Sequence, residues 1–163
     1  MTSIKFGQNR YKPAGEWVQA THLLKVAGLD HRRSDVDRFC VAVRSAEQNR
    51  LPYGLRLKLE PNNAHDSNAI AVIGYATVPL IFGRSKELSY HIGYVPAEES
   101  RSIYADLIGN GIEISSELYA IYESGHYIEV SFFVLGPPGY GVKSREKALS
   151  KGISARLGPW GSN

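Results

Sequence analysis

The stretch from residue 55 to residue 73 constrains the fold more than any other part of the sequence. Leu55–Leu59 alternates apolar and basic residues, the pattern of a strand with one buried face. Pro61 ends this strand because proline lacks the N–H that a continuing sheet needs, and residues 69–73 predict a second, apolar strand. The loop between them holds short polar side chains that bond nearby backbone and favour tight turns: Asn62, Asn63, Asp66 and Asn68.

Periodicity places further elements on both sides of this unit. Residues 17–29 predict a strand that ends near Gly28. Ser34 is a candidate N-cap for a short amphipathic helix that reaches about Ala46. Its apolar positions follow the spacing i, i+3, i+4, i+7: Val36, Phe39, Cys40 and Val43.

The second half of the chain predicts a short strand, a helix and a hairpin. Residues 91–95 form the strand, 97–109 the helix, and 112–122 with 127–135 the hairpin. The last strand has one clearly apolar face, since its apolar residues recur at every second position: Ile128, Val130, Phe132 and Val134.

The resulting order β-α-β-β-β-α-β-β predicts a mainly β protein with two or three helices, of the α+β class. We expect a small OB-like or SH3-like barrel of about six strands. Residues 1–15 are predicted to be a flexible basic arm with little order. Residues 16–136 form the folded domain, with an insertion at 74–90, and 137–163 form a Pro/Gly linker and a basic tail.

Composition excludes several classes of protein. Hydrophobic residues make up 43% of 163 residues, which is typical of a soluble globular domain. No stretch is long and apolar enough for a membrane helix, and the first residues lack the apolar run typical of a signal peptide, so we expect neither. Cys40 is the single cysteine, so no internal disulfide can form, and we expect a buried, inert thiol in a reducing cytoplasm.

Charge is unevenly distributed along the chain. Residues 1–37 carry a net charge of about +2, residues 38–136 about −3, and residues 137–163 about +4. An acidic domain is poorly suited to long-range attraction of duplex DNA, where phosphate contacts dominate affinity. Recognition of a nucleic-acid end requires fewer cations.

Two motifs resemble the signature of the HIRAN domain family. The first is E-P-x-N-x-x-D-x-N-A-I-x-V, which begins at Glu60, and the second is Ile92-Gly93-Tyr94-Val95. The resemblance covers about residues 23–135. HIRAN domains are β-rich modules found at the N-terminus of SNF2-type helicases. The resemblance therefore implies a DNA-binding module that grips the free 3′ end of single-stranded DNA, as an accessory in repair, replication or defence.

The resemblance also implies particular binding residues. Asp66 would accept a hydrogen bond from the terminal 3′-hydroxyl, although it could instead bond only the amides of its own loop. Tyr94 and Arg32 would contact phosphate, and His31 with His126 or Tyr127 would stack on a base. Asp30, which stands where the family has a cation, weakens phosphate binding, and Ala97 stands where a lysine is expected. Asn63 and His65 complete the predicted nucleic-acid-binding residues.

Two other functions compete with this interpretation. An enzyme would need converging groups, and His65 with Asp66, Glu60 and His91 superficially suggests a metal or acid–base site. Adjacent side chains on an extended loop point to opposite sides, and no catalytic motif is present, so we expect no enzyme, no metal and no cofactor.

The other alternative is a protein-interaction or assembly module that binds a partner protein or a second copy of itself. Ten tyrosines, the stretch at 74–90 and the basic tail would suit contact with protein as well as DNA.

Overall fold

Two antiparallel sheets, two α-helices and a shorter helical stretch at residues 142–147 build the chain in the computed structural model, which describes residues 3–147. The helices are α1 (Arg33–Gln48) and α2 (Ala97–Asp106), with 3-10 turns at Leu29–Arg32, Ile81–Gly83 and Ile108–Asn110. The strands are β1 (Ile4–Phe6), β2 (Val18–Gln19), β3 (Leu24–Lys25), β4 (Tyr53–Leu59), β5 (Ile70–Pro79), β6 (Ser85–Tyr94), β7 (Ser115–Ser124) and β8 (Tyr127–Gly136).

The strands divide into a five-stranded and a three-stranded sheet. The larger sheet has the order β1-β7-β8-β2, and β3 also pairs with β8; the smaller sheet has the order β4-β5-β6. The predicted α+β class is confirmed. The predicted order of elements is also found, once β2 and β3 are taken as one interrupted strand and β1 is added at the start.

A closed barrel is not confirmed, because within residues 3–147 only one seam between the sheets has backbone pairing. There, Ala27 forms an isolated antiparallel bridge with Tyr94 at the end of β6. At the other seam β4 and β7 lie in different sheets. The Ser116 hydroxyl donates to the Leu55 carbonyl at 2.7 Å across this seam. The strands therefore pack as two sheets joined along one edge.

Helix α1 covers one face of the smaller sheet. Phe39 is fully buried above Gly74 of β5, where a Cβ atom would lie 2.6 Å from the aromatic ring. Cys40 is buried as predicted, and burial raises the pKa of its thiol to about 12. The apolar face predicted for β8 is also buried. Helix α1 begins at Arg33, without a side-chain cap at Ser34.

The first fifteen residues are not wholly an arm with little order. Strand β1 pairs with β7, in the register Ile4 to Glu123. Arg10 donates from Nε to Glu117 Oε1 at 3.0 Å, and Lys12 Nζ lies 3.4 Å from Glu117 Oε2. The Glu117 side chain has no exposed surface. Burial of a carboxylate is unfavourable without a counter-charge. The segment that carries Arg10 and Lys12 therefore supplies the positive charges that the buried carboxylate of β7 needs.

The stretch at 74–90, predicted to be an insertion, consists of the ends of β5 and β6 and the turn between them. It continues β5 and β6, which pair with each other as far as Pro79 and Ser85. Residues 142–147 are helical, so the predicted linker and tail contain a described helix. The rest of the predicted tail, residues 148–163, lies outside the described residues.

Gly74→Ala should lower the free energy of unfolding by about 1–3 kcal/mol, because the new methyl group overlaps the Phe39 ring. Urea denaturation followed by circular dichroism measures the change. Gly141→Ala is the matched control, since its Cβ would meet other residues only at 3.6 Å or more. Equal stability of the two variants would contradict the proposed packing constraint.

Arg10→Ala should destabilise the fold by about 1–3 kcal/mol, because it removes a hydrogen-bonding partner from the buried Glu117 carboxylate. Adding Glu117→Gln should recover part of that loss, which a double-mutant cycle of urea denaturation detects. Arg101→Ala, at an exposed arginine, is the control. Additive effects of the two substitutions would contradict a direct coupling.

Candidate functional site

A cleft of about 430 Å³ opens beside the bridge that joins the two sheets. Three separate segments form it: the turn after β3, the loop between β4 and β5, and the junction of β6 with α2. The lining residues are Ala27, Gly28, His31, Arg32, Asn63, His65, Asp66, Ala69, Tyr94, Val95 and Ala97.

Six of the nine predicted site residues meet in this cleft. They come from positions that are distant in the sequence, and the bridge between the sheets brings them together. His65 and Asp66 are both among the residues that line the cleft. The six residues are His31, Arg32, Asn63, His65, Asp66 and Tyr94.

The bridge depends on Gly93. Ala27 and Tyr94 exchange two backbone hydrogen bonds of 2.8 and 2.9 Å. A Cβ atom on Gly93 would lie only 2.3 Å from the Ala27 carbonyl oxygen, so any side chain would push the segments apart. A register shift in the β5–β6 ladder leaves Ile92 as an extra residue beside it. Such a bulge redirects the strand that follows, here at the point where Tyr94 enters the cleft.

The loop between β4 and β5 is organised by the Glu60 carboxylate. Glu60 Oε1 accepts hydrogen bonds from Asn63 Nδ2 at 3.0 Å and from the Tyr94 hydroxyl at 2.8 Å. These two bonds hold the pKa of Glu60 below its usual value. Asn63 Oδ1 then accepts from the backbone amides of His65 and Asp66. Hydrogen bonds within the loop therefore hold its conformation, and the bond from Tyr94 connects the loop to β6.

Asp66 occupies a turn of its own. Its Oδ1 atom accepts from the backbone amide of Asn68 at 2.8 Å, which is an Asx turn. Among the described residues, Oδ2 makes no hydrogen bond, and Asp66 is partly exposed at the cleft. The carboxylate thus braces its loop with one oxygen, and the other has no hydrogen-bond partner in the described part of the chain.

Tyr94 stands between a cation and an imidazole. The Arg32 guanidinium carbon lies 5.8 Å from the centre of the Tyr94 ring, and the His91 ring meets it edge-on at 5.0 Å. Burial and the nearby Arg32 charge lower the pKa of His91, whose Nε2 pairs with the Gly93 carbonyl at 3.0 Å. Desolvation and the bond to Glu60 raise the pKa of the Tyr94 hydroxyl.

The other predicted residues lie beside the cleft. Asp30 and Tyr127 line an adjoining cleft of about 370 Å³, which shares Gly28 and His31 with the first. Tyr127 is 59% exposed, and its hydroxyl donates to Glu129 at 3.0 Å, so its ring is open to solvent. His126 lines neither cleft, although its carbonyl accepts a hydrogen bond from Arg33.

Sequence reasoning did not assign the residues that organise the site. Glu60, His91 and Gly93 place or orient the cleft residues. Glu60 and Gly93 are both specified positions of the two motifs, and this was the sequence signal that could have indicated their importance. Within residues 3–147, no three His, Cys, Asp or Glu side chains are arranged to hold a metal ion. No described helix combines the length and apolarity needed to cross a membrane.

Comparison with known proteins identifies the family. A sequence model of the HIRAN domain matches residues 35–136, more than half of the chain. The chain therefore belongs to the HIRAN domain family, which confirms the resemblance, and HIRAN domains are nucleic-acid-binding modules. Among solved structures, the HIRAN domain of human HLTF is similar at 15% identity, over 87% of this chain and 93% of that chain, with a TM-score of 0.39. No curated protein matches.

Glu60→Gln should flatten the dependence of stability on pH in the acid range. The pKa of Glu60 is lowered in the folded state, so its stabilising contribution is complete above the ordinary value of 4.5 and is lost as the pH falls below it. Urea denaturation from neutral to acid pH measures this effect. Glu113→Gln, at an exposed position, is the control, and an unchanged pH slope in Glu60→Gln would contradict the assignment.

Proposed function

We propose that this protein is a non-enzymatic module whose cleft binds the free 3′ end of single-stranded DNA. The observation that carries the proposal is the convergence of His31, Arg32, Asp66 and Tyr94 in one cleft. By the resemblance to its family, such a module would assist in DNA repair, replication or defence. Glu60 and His91, the other candidates for catalysis, are engaged in contacts that order the site.

The Asp66 carboxylate is suited to a terminal hydroxyl. Its position is fixed by the bond from Asn68, and its second oxygen is available to accept from a 3′-hydroxyl. A 3′-phosphate offers anionic oxygens instead, which the carboxylate repels. A hydrogen bond to a charged group contributes about 1.5–3 kcal/mol, so a preference of roughly tenfold to a hundredfold for the hydroxyl end is expected.

Arg32 is the better candidate for the phosphate contact. The Tyr94 hydroxyl donates its proton to Glu60, so in this conformation it has no proton for a phosphate oxygen. Its ring remains next to the Arg32 guanidinium and helps to position it. Helix α2 begins at Ala97, and the unpaired amides of a helix N-terminus can supplement the missing lysine.

Bases have apolar and aromatic surfaces to contact. Ala27, Ala69 and Val95 give the cleft an apolar floor. His31 lies where the two clefts meet, and the exposed ring of Tyr127 lines the second one. A strand that enters by the first cleft could therefore stack its next base against Tyr127.

Electrostatics favour binding of an end over binding of a long strand. The lining of the first cleft contains one permanent cation, Arg32, and one carboxylate, Asp66. Each phosphate neutralised on a single strand contributes a slope of about −0.7 to the logarithm of affinity against the logarithm of salt. We expect a shallow slope of about −0.7 to −1.4, for one or two phosphates.

Asp66→Asn should remove the preference for a 3′-hydroxyl while preserving the loop. The asparagine keeps an oxygen for the Asn68 amide and loses the negative charge. Fluorescence anisotropy of labelled ten-nucleotide single strands, with a 3′-hydroxyl or a 3′-phosphate at two salt concentrations, measures the preference. The wild type should bind the hydroxyl end at least about tenfold more tightly, and Asp66→Asn should bind both ends within about threefold.

Glu113→Gln is the control for this experiment, because it removes one exposed carboxylate outside both clefts. Arg32→Gln should weaken binding of both ends and reduce the salt slope. Equal binding of both ends by the wild type, with a steep salt dependence, would instead assign the affinity to nonspecific charge contacts. Unaltered discrimination in Asp66→Asn would exclude this carboxylate as the end-recognition group.

A further inference from the structure

The β5–β6 hairpin projects beyond the sheet that supports it. Strand β4 pairs with β5 only as far as Ala76, and the final bond across that edge runs from the Thr77 amide to Pro52. Past this point β5 and β6 pair with each other alone, up to Pro79 and Ser85. At about 3.3 Å per residue the tip stands about 15 Å beyond the sheet.

The tip of the hairpin is apolar and exposed. Leu80 is 49% exposed, Ile81 76% and Phe82 93%. Phe82 also has a φ of +59°, in the left-handed region that bulky side chains rarely adopt. Because Ile81 and Phe82 are mostly exposed, their side chains contribute little packing energy to the fold of this chain. Contiguous apolar groups of this kind mark contact sites for other molecules.

An apolar groove lies at the base of the same hairpin. It has a volume of about 440 Å³ between α1 and the β5–β6 ribbon. Its apolar lining is Val41, Ala42, Val78, Leu88 and Tyr90.

The groove is open to solvent and continuous with the tip. Val41, on the outer side of α1, is 65% exposed. Val78 and Leu80 occupy alternate positions along the chain, so they face the same side of the ribbon. The protein therefore carries an apolar projection and an apolar groove on one surface.

We propose that the occupant of the groove is the hairpin tip of a second copy of this chain, with both grooves filled reciprocally. The tip and the groove are about 15 Å apart along one ribbon. Two such ribbons placed antiparallel about a twofold axis bring each tip to the base of the other. A twofold interface uses the same surface on both copies, and this surface holds both complementary parts. The proposal does not depend on DNA binding.

Charges along the ribbon are compatible with this arrangement. Arg84 and Lys86 flank the tip, and neither forms an ion pair within the described part of the chain. The rim of the groove carries Asp37 and Arg38, so it is neutral overall and does not repel the tip. Asp37 is already paired with Arg33 Nε at 2.9 Å, and its side chain is 56% exposed, so a cation from the second copy would share this carboxylate with Arg33.

Sedimentation velocity of the full chain over a range of concentrations tests the proposal. The wild type should show a concentration-dependent monomer–dimer equilibrium. Phe82→Asp at the tip and Val41→Asp in the groove should each raise the dissociation constant at least tenfold. Both positions are exposed, so circular dichroism should show folded variants. Leu23→Asp, at a 48% exposed residue outside the groove lining, is the matched control and should dimerise like the wild type.

A mixture of the two variants distinguishes reciprocal seating from other contacts. The groove of Phe82→Asp and the tip of Val41→Asp are both intact, so the mixture should associate more strongly than either variant alone. A monomeric wild type, a groove variant that still dimerises, or a mixture that gains nothing would each overturn the proposal. If the wild type is monomeric and Phe82→Asp weakens binding of single-stranded DNA, the tip belongs to the nucleic-acid surface.

Discussion

The close approach of the Ala27 backbone to Gly93 is the contact on which the arrangement of the site depends. It pairs the end of β6 with the segment after β3 and so joins two sheets that share no other described backbone ladder. A side chain at position 93 would occupy the space of the Ala27 carbonyl. The bridge then places the turn at 29–32 against Tyr94, and the cleft forms between them. A backbone contact, not a catalytic group, is what defines the candidate site.

The loop that completes the cleft is ordered mainly by its own polar side chains. Glu60, Asn63 and Asp66 each bond a neighbouring backbone or side-chain group. Binding loops are usually mobile and lose entropy when a ligand orders them. A loop held in this way loses less, so a small cleft with one cation can bind a short ligand without strong electrostatic attraction. The polar residues of the motif therefore order the loop, and two of them, Asn63 and Asp66, also line the cleft.

Local patterns predicted the parts of the fold that local physics controls. The strand–loop–strand unit, the amphipathic helix and the alternating face of β8 were all visible, because their burial follows the helix and strand periods. Strand β1 was missed, since three residues in a basic segment carry little signal until β7 offers an edge. Pro79 and Gly83 mark a break in residues 74–90, and the sequence did not show that two strands continue up to it on either side.

The sequence by itself determined most of the elements and their order, the family and most of the residues now found in the cleft. Two motifs contain Asn63, Asp66 and Tyr94 at fixed spacings, and the turn chemistry of the first motif is local. Only the tertiary structure decided that Glu60 orders Tyr94, that Glu117 is buried against the first segment, and that the strands form two sheets instead of a closed barrel. These outcomes depend on distances between segments far apart in the chain, and periodicity carries no information about such distances.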